Sequence, residues 1–123
     1  MERSGIAIVQ DFIAAWNQFD MSRVESFLSP DVFYHNIPME PLVGIPAFRA
    51  FMAEFPAASA NWEVHAIAEN GAFVLTERTD GFVLKNGSAI SVRVMGTFEI
   101  ADGKIKAWRD YFDLAEFTSQ LTA

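Results

Sequence analysis

Three turn dipeptides, Asn70-Gly71, Asn86-Gly87 and Asp102-Gly103, divide the second half of the chain into apolar runs and constrain its fold more than any other feature. Gly and Asn accept the positive φ angles that tight hairpins need, so runs joined by such dipeptides read as antiparallel strands. These runs cover roughly Asn61 to Glu69, Ala72 to Leu84, Ala89 to Ile100 and Lys104 to Phe112. Within one of them, Ile90, Val92, Val94, Gly96, Phe98 and Ile100 alternate with Ser91, Arg93, Met95, Thr97 and Glu99. That strand buries one face.

The first half is helical in pattern. Val9, Phe12, Ile13 and Trp16 fall on one stripe of an amphipathic helix, and Ser4 is placed to cap it. A short second helix follows Asp20, buries Val24, Phe27 and Leu28, and ends at Ser29-Pro30. A strand from Asp31 to Ile37 leads into Pro38-Met39-Glu40-Pro41. Pro46 then opens a third helix carrying Phe48, Phe51, Met52 and Phe55, and Leu114 to Leu121 forms a last short helix. Helices followed by a mostly antiparallel meander imply an α+β fold, with helices covering the concave side of a twisted sheet and a ligand pocket between the layers. The 123 residues, 51% of them hydrophobic, suit one domain over 1–123.

Composition narrows the function classes. There is no Cys, which excludes disulfides, thiolate metal sites and a cysteine nucleophile. His35 and His65 have no metal-site spacing, and no glycine-rich loop precedes a helix, so no metal and no cofactor are expected. A formal net charge of −7 opposes nucleic acid or an anionic membrane as partner. Neither a membrane span nor a signal-peptide pattern is present, which points to a cytoplasmic protein.

Candidate chemistry sits in three places with one geometry. Residues two apart in a strand share a face, which groups Trp108 with Asp110 and Phe112, Arg78 with Asp80, and Tyr34 with Asn36. Thr76 and Val74 share the face of Arg78 and Asp80. Taken singly, Arg78 and Asp80 also fit a surface ion pair, Tyr34 and Asn36 a structural role, and Asp110 a helix cap. Taken together, they would give one pocket two carboxylates, a guanidinium, a phenol and an amide, with Trp108 and Phe112 as apolar walls. A guanidinium between two carboxylates can donate to both, and such a pair titrates as a unit. One ionised and one protonated carboxyl group supply a base for water and an acid for a leaving oxygen.

At these residues the chain resembles the limonene-1,2-epoxide hydrolase family. The resemblance rests on Tyr34-His35-Asn36-Ile37-Pro38 for the family's Tyr-x-Asn-x-Pro, Glu77-Arg78-Thr79-Asp80 for its Glu-Arg-x-Asp, and Trp108 to Asp113 for its Trp-Arg-Asp-Tyr-Phe-Asp. It spans nearly the whole chain. It implies an NTF2-like cone, a strongly curved mixed or antiparallel sheet with three to four helices enclosing a pocket. It also implies Asp110 as base, Tyr34 and Asn36 holding water, Asp80 as proton donor and Arg78 bridging the two aspartates, with no covalent intermediate and no cofactor. The expected pocket wall includes Trp108, Phe112, Ile13 and Phe51. The resemblance further implies a homodimer built on the outer face of the sheet. The first helix begins near the N-terminus, without the longer extension of some members, which bears on dimer contacts or pocket closure.

The expected activity is hydrolysis of a small apolar epoxide to a vicinal diol. The alternatives are a ketosteroid-isomerase-like or polyketide-cyclase-like enzyme on the same fold, or a noncatalytic small-molecule binder. Proton transfer next to a carbonyl favours a neutral acid in an oxyanion hole, whereas Arg78 beside Asp80 favours an ionised carboxylate.

Overall fold

A computed structural model of the chain describes residues 3–121. Helix α1 spans Gly5–Asn17 and starts where expected, with the Ser4 hydroxyl accepting from the Ala7 N–H at 3.1 Å. Its Val9, Phe12, Ile13 and Trp16 are buried. Helix α2, Met21–Ser26, is capped by Asp20, whose carboxylate accepts from the Arg23 N–H at 3.2 Å.

The end of α2 departs from the expected boundary. The helix stops at Ser26, and strand β1 runs from Leu28 to Asn36 straight through Pro30. Pairing explains the difference. Leu28 lies beside Ile105, the Ile105 N–H donates to the Phe27 carbonyl at 2.8 Å, and the register shifts between Leu28 and Phe33. A proline without an N–H is tolerated in such an irregular stretch.

A two-residue strand, β2 (Leu42–Val43), pairs antiparallel with β1 and has too short a pattern to be seen in the sequence. Helix α3, Ile45–Glu54, carries Pro46 in its first turn. Strands β3 (Ala57–Asn70), β4 (Phe73–Leu84), β5 (Ala89–Ala101) and β6 (Lys104–Tyr111) form the meander, and β3 begins four residues before Asn61. In the β5–β6 turn both Asp102 (φ 53°) and Gly103 (φ 74°) have positive φ, as a tight hairpin requires. Helix α4, Leu114–Leu121, follows; the Asp113 carboxylate, and not that of Asp110, accepts from the Ala115 N–H at its start.

The sheet is curved and mixed, in the order β2-β1-β6-β5-β4-β3. All neighbours are antiparallel except β1 and β6, which run parallel and bring the first long strand beside the last. Helix α1 packs on β3 and β4, α3 on β1, and α4 on β5. Their shared core is dominated by aromatics. Phe12 meets Trp108 edge-on at 5.1 Å between ring centres, Trp108 stacks on Tyr34 at 4.1 Å, and Trp16 stacks on Trp62 at 4.5 Å. Burying a Phe-sized side chain contributes about 1.5–3 kcal/mol, and aromatic geometry adds about 0.5–1.5 kcal/mol per pair. Among the described residues, no helix is long and apolar enough to cross a membrane.

Candidate active site

Strand register sets the site. Tyr34 and Asn36 end β1, Arg78 and Asp80 lie in the middle of β4, and Asp110 ends β6. The parallel ladder places Asn36 beside Asp110 and Tyr34 beside Trp108. Strand alternation then turns all five polar side chains towards the layer of helices.

Arg78 is the centre of this group, and its side chain is wholly buried. Its Nε donates to Asp80 Oδ1 at 2.9 Å and its Nη2 to Asp80 Oδ2 at 2.8 Å, a bidentate pair. The same Nη2 donates to Asp110 Oδ2 at 3.1 Å. Nη1 donates to the Thr76 hydroxyl at 3.0 Å. The guanidinium also lies over the Trp62 ring, 4.9 Å from its centre. Arg78 and Asp80 are therefore not the surface ion pair that either residue alone would allow.

The remaining oxygen of Asp110, Oδ1, accepts from the indole N–H of Trp108 at 2.9 Å. Each Asp110 oxygen thus has one protein donor and retains a lone pair for a further hydrogen. Asn36 Nδ2 donates to the Tyr34 oxygen at 3.0 Å, and the Tyr34 hydroxyl lies 3.3 Å from Asn36 Oδ1.

Burial raises the Asp80 carboxyl; the Arg78 charge and hydrogen bonds pull it down, the Asp110 charge pushes it up, and it comes to rest at about 6. Burial would lower the Arg78 pKa, but Asp110 and Asp80 outweigh it and hold the guanidinium charged. Burial and then the Asp110 charge push the Tyr34 phenol above its usual range, which keeps it a donor.

Tyr34, Asn36, Asp80 and Asp110 all face one cavity, whose apolar wall includes the expected Phe51 and Phe112. Two expected wall residues do not reach it. Ile13 and Trp108 are buried in the core, because α1 turns its apolar stripe into the sheet and Trp108 lies under Tyr34. Trp108 meets the site from below, by stacking on Tyr34 and by its N–H to Asp110. In their place, Trp16, Trp62, Met52 and Phe117 contribute to the wall. The cavity encloses about 60 Å³, room for a few water molecules. Unbranched Met39 and Met52 lie in the lining and are suited to moving aside for a larger guest.

His35 turns to the other side of β1 and bonds the Met39 carbonyl, while His65 bonds Thr79. Among the described residues, no group of three His, Cys, Asp or Glu side chains could hold a metal. Thr76 and Gly96, which residue chemistry does not single out, border this group: the Thr76 hydroxyl accepts from Arg78, and a Cβ on Gly96 would meet Arg78 and Asp110. Thr76 lay on the right face, and a lone glycine within a strand is a known sign of close approach.

An α+β cone in which a guanidinium links two carboxylates that face an apolar cavity has the architecture of an NTF2-like domain. A solved NTF2-like protein of unknown function from Burkholderia pseudomallei K96243 has a TM-score of 0.85 to it, at 21% identity, covering 96% of this chain and 97% of that one. Residues 3–123 match the limonene-1,2-epoxide hydrolase catalytic domain, and the chain belongs to that family. Epoxide hydrolase EphG of Mycobacterium tuberculosis is 32% identical over 107 residues, 86% of this chain and 71% of that protein. The structure of a limonene-1,2-epoxide-hydrolase-like epoxide hydrolase from M. tuberculosis has a TM-score of 0.81 at 31% identity, covering 95% of this chain and 88% of that one.

Proposed function

We propose that this protein adds water directly to a small, mostly apolar epoxide to give a vicinal diol. The observation that carries the reading is a single buried guanidinium bridging two carboxylates that face one apolar cavity. Membership of the limonene-1,2-epoxide hydrolase catalytic-domain family and likeness to the M. tuberculosis epoxide hydrolases support it.

Asp110 serves as the base, with lone pairs open towards the cavity beside Asn36. Tyr34 and Asn36 hold the attacking water. As its oxygen bonds to an epoxide carbon, one proton passes to Asp110, the carbon–oxygen bond breaks, and Asp80 gives its proton to the released oxygen. Arg78 keeps the two carboxylates in fixed relation while charge moves from one to the other. The turn leaves Asp110 protonated and Asp80 ionised, and exchange with water resets them. The reaction uses no cofactor. The same proposal includes a cytoplasmic homodimer that takes only the epoxide and water as reactants.

The test is a panel of limonene oxide, cyclohexene oxide and styrene oxide with diol detection. Asp110→Asn should lower turnover by about 10²- to 10⁴-fold while the protein stays folded. A single turnover in ¹⁸O-water should label the diol at once, since no carboxylate ester lies on the path. Absence of diol from folded wild-type protein, or an Asp110→Asn variant as fast as wild type, refutes the reading.

A further inference from the structure

Arg78 stands on β4 and Asp110 on β6, with β5 between them. Neighbouring strands lie about 4.8 Å apart, so the two backbones are separated by roughly 10 Å. The guanidinium can reach Asp110 only by passing over β5. It passes at Gly96, the residue paired with Thr76 on one side and Asp110 on the other. A Cβ on Gly96 would stand 2.3 Å from Arg78 Nη1 and 2.4 Å from Asp110 Oδ1. Both atoms are held by hydrogen bonds, Nη1 to Thr76 and Oδ1 to the Trp108 indole, so either could withdraw only by giving up a bond of the network.

Thr76 completes the crossing. Its hydroxyl has one hydrogen, donated to the Gly96 carbonyl at 3.1 Å, and this leaves its oxygen to accept from Arg78 Nη1 at 3.0 Å. Thr76 is buried, so water cannot take its place. Asp80 holds the guanidinium along the Nε–Nη2 edge, and Thr76 holds it at Nη1. With three nitrogens engaged, the plane of the guanidinium has one orientation, and in that orientation the second Nη2 hydrogen points to Asp110.

We propose that Gly96 and Thr76 are positioning residues for Arg78, the first opening a passage across β5 and the second fixing the rotation that lets one guanidinium span both carboxylates. Neither touches the cavity. Their effect on turnover rests on the hydrolase reading above, whereas their effect on Arg78 does not.

Two readouts separate these. In diol formation, Thr76→Val should lower kcat by about 10- to 100-fold, the worth of one charge-assisted hydrogen bond, with KM changed less than about twofold. Thr76→Ser, which keeps the hydroxyl, should restore most of kcat. In carboxyl ¹³C NMR, which needs no substrate, the Asp80 titration should move to higher pH in Thr76→Val, because Arg78 then attracts it less. The charged and titratable groups facing Asp80 there are Arg78, Asp110 and Tyr34. Gly96→Ala should lose stability and turnover together. An unmoved Asp80 titration in Thr76→Val, a Thr76→Ser variant as impaired as Thr76→Val, or a Gly96→Ala protein with wild-type stability and turnover overturns the proposal. If wild-type protein opens no epoxide, the hydrolase reading fails, and the NMR comparison still decides the positioning role.

Discussion

At the scale of single residues, Asp80 controls how the molecule responds to pH. Its carboxyl in the folded protein, at about 6, lies above the value near 4 of an unfolded chain. The folded state therefore binds that proton more tightly. The resulting stability is fully present below pH 4 and is lost as pH rises through about 6, an amount of up to about 3 kcal/mol. Urea unfolding measured from pH 4 to pH 7 should show this loss, and Asp80→Asn should flatten it. The same group sets the alkaline side of the proposed reaction, because an acid that has given up its proton cannot protonate an epoxide oxygen. Turnover should fall as pH rises through the Asp80 titration. The i, i+2 spacing shows which residues share a face within one strand, while the convergence of the three strands follows only from the family resemblance; Arg78, Asp80, Asp110, Tyr34 and Asn36 do come together. What spacing could not convey was depth. Ile13 and Trp108 are apolar and on inward faces, but the inward direction leads to the core for them and to the cavity for Phe51 and Phe112.

At the scale of elements, the junction of α1 with β3 holds one wall of the cavity. Asn17, the last residue of α1, accepts from the Trp62 N–H at 2.6 Å and donates to the Trp62 carbonyl at 3.0 Å. One side chain thereby satisfies both backbone groups of a strand residue that lines the cavity and lies against Arg78. Asn17→Ala should cost about 1–3 kcal/mol in chemical denaturation, since the exposed ends of both bonds are lost in a half-buried place. A change below about 0.5 kcal/mol would mean that water replaces the side chain freely. Most elements could be read from the pattern, because capping residues, hairpin dipeptides and alternation are local signals. The exceptions are set by pairing across the sheet. Pro30 was a sound reason to stop a helix, yet the chain was already extended there to meet β6, and β2 exists only because β1 offers it an edge.

At the scale of the whole molecule, the two faces of the sheet differ in what they lack. The inner face is covered by helices, while Leu75, Met95 and Tyr111 stand exposed on the outer one, with Met95 paired to Glu77 and Tyr111. The proposed homodimer would cover this face. Met95→Glu should then shift the mass in solution from dimer to monomer, as read by light scattering, with the cavity residues untouched. A dimer of unchanged stability in Met95→Glu would place the interface elsewhere. Sequence patterning showed that β5 has an exposed side; whether that side meets water or a second copy depends on surfaces and not on periodicity.

The parallel contact of β1 with β6 has a consequence for how the protein is made. Asn36 acquires Asp110 as its neighbour only across this contact, although translation delivers one early and the other late. A chain that stops after β5 already holds Tyr34, Asn36, Arg78 and Asp80, but β1 then has only the two-residue β2 as a partner and Asp80 has no second carboxylate across Arg78. The two carboxylates that Arg78 bridges therefore come together only once β6 lies between β1 and β5.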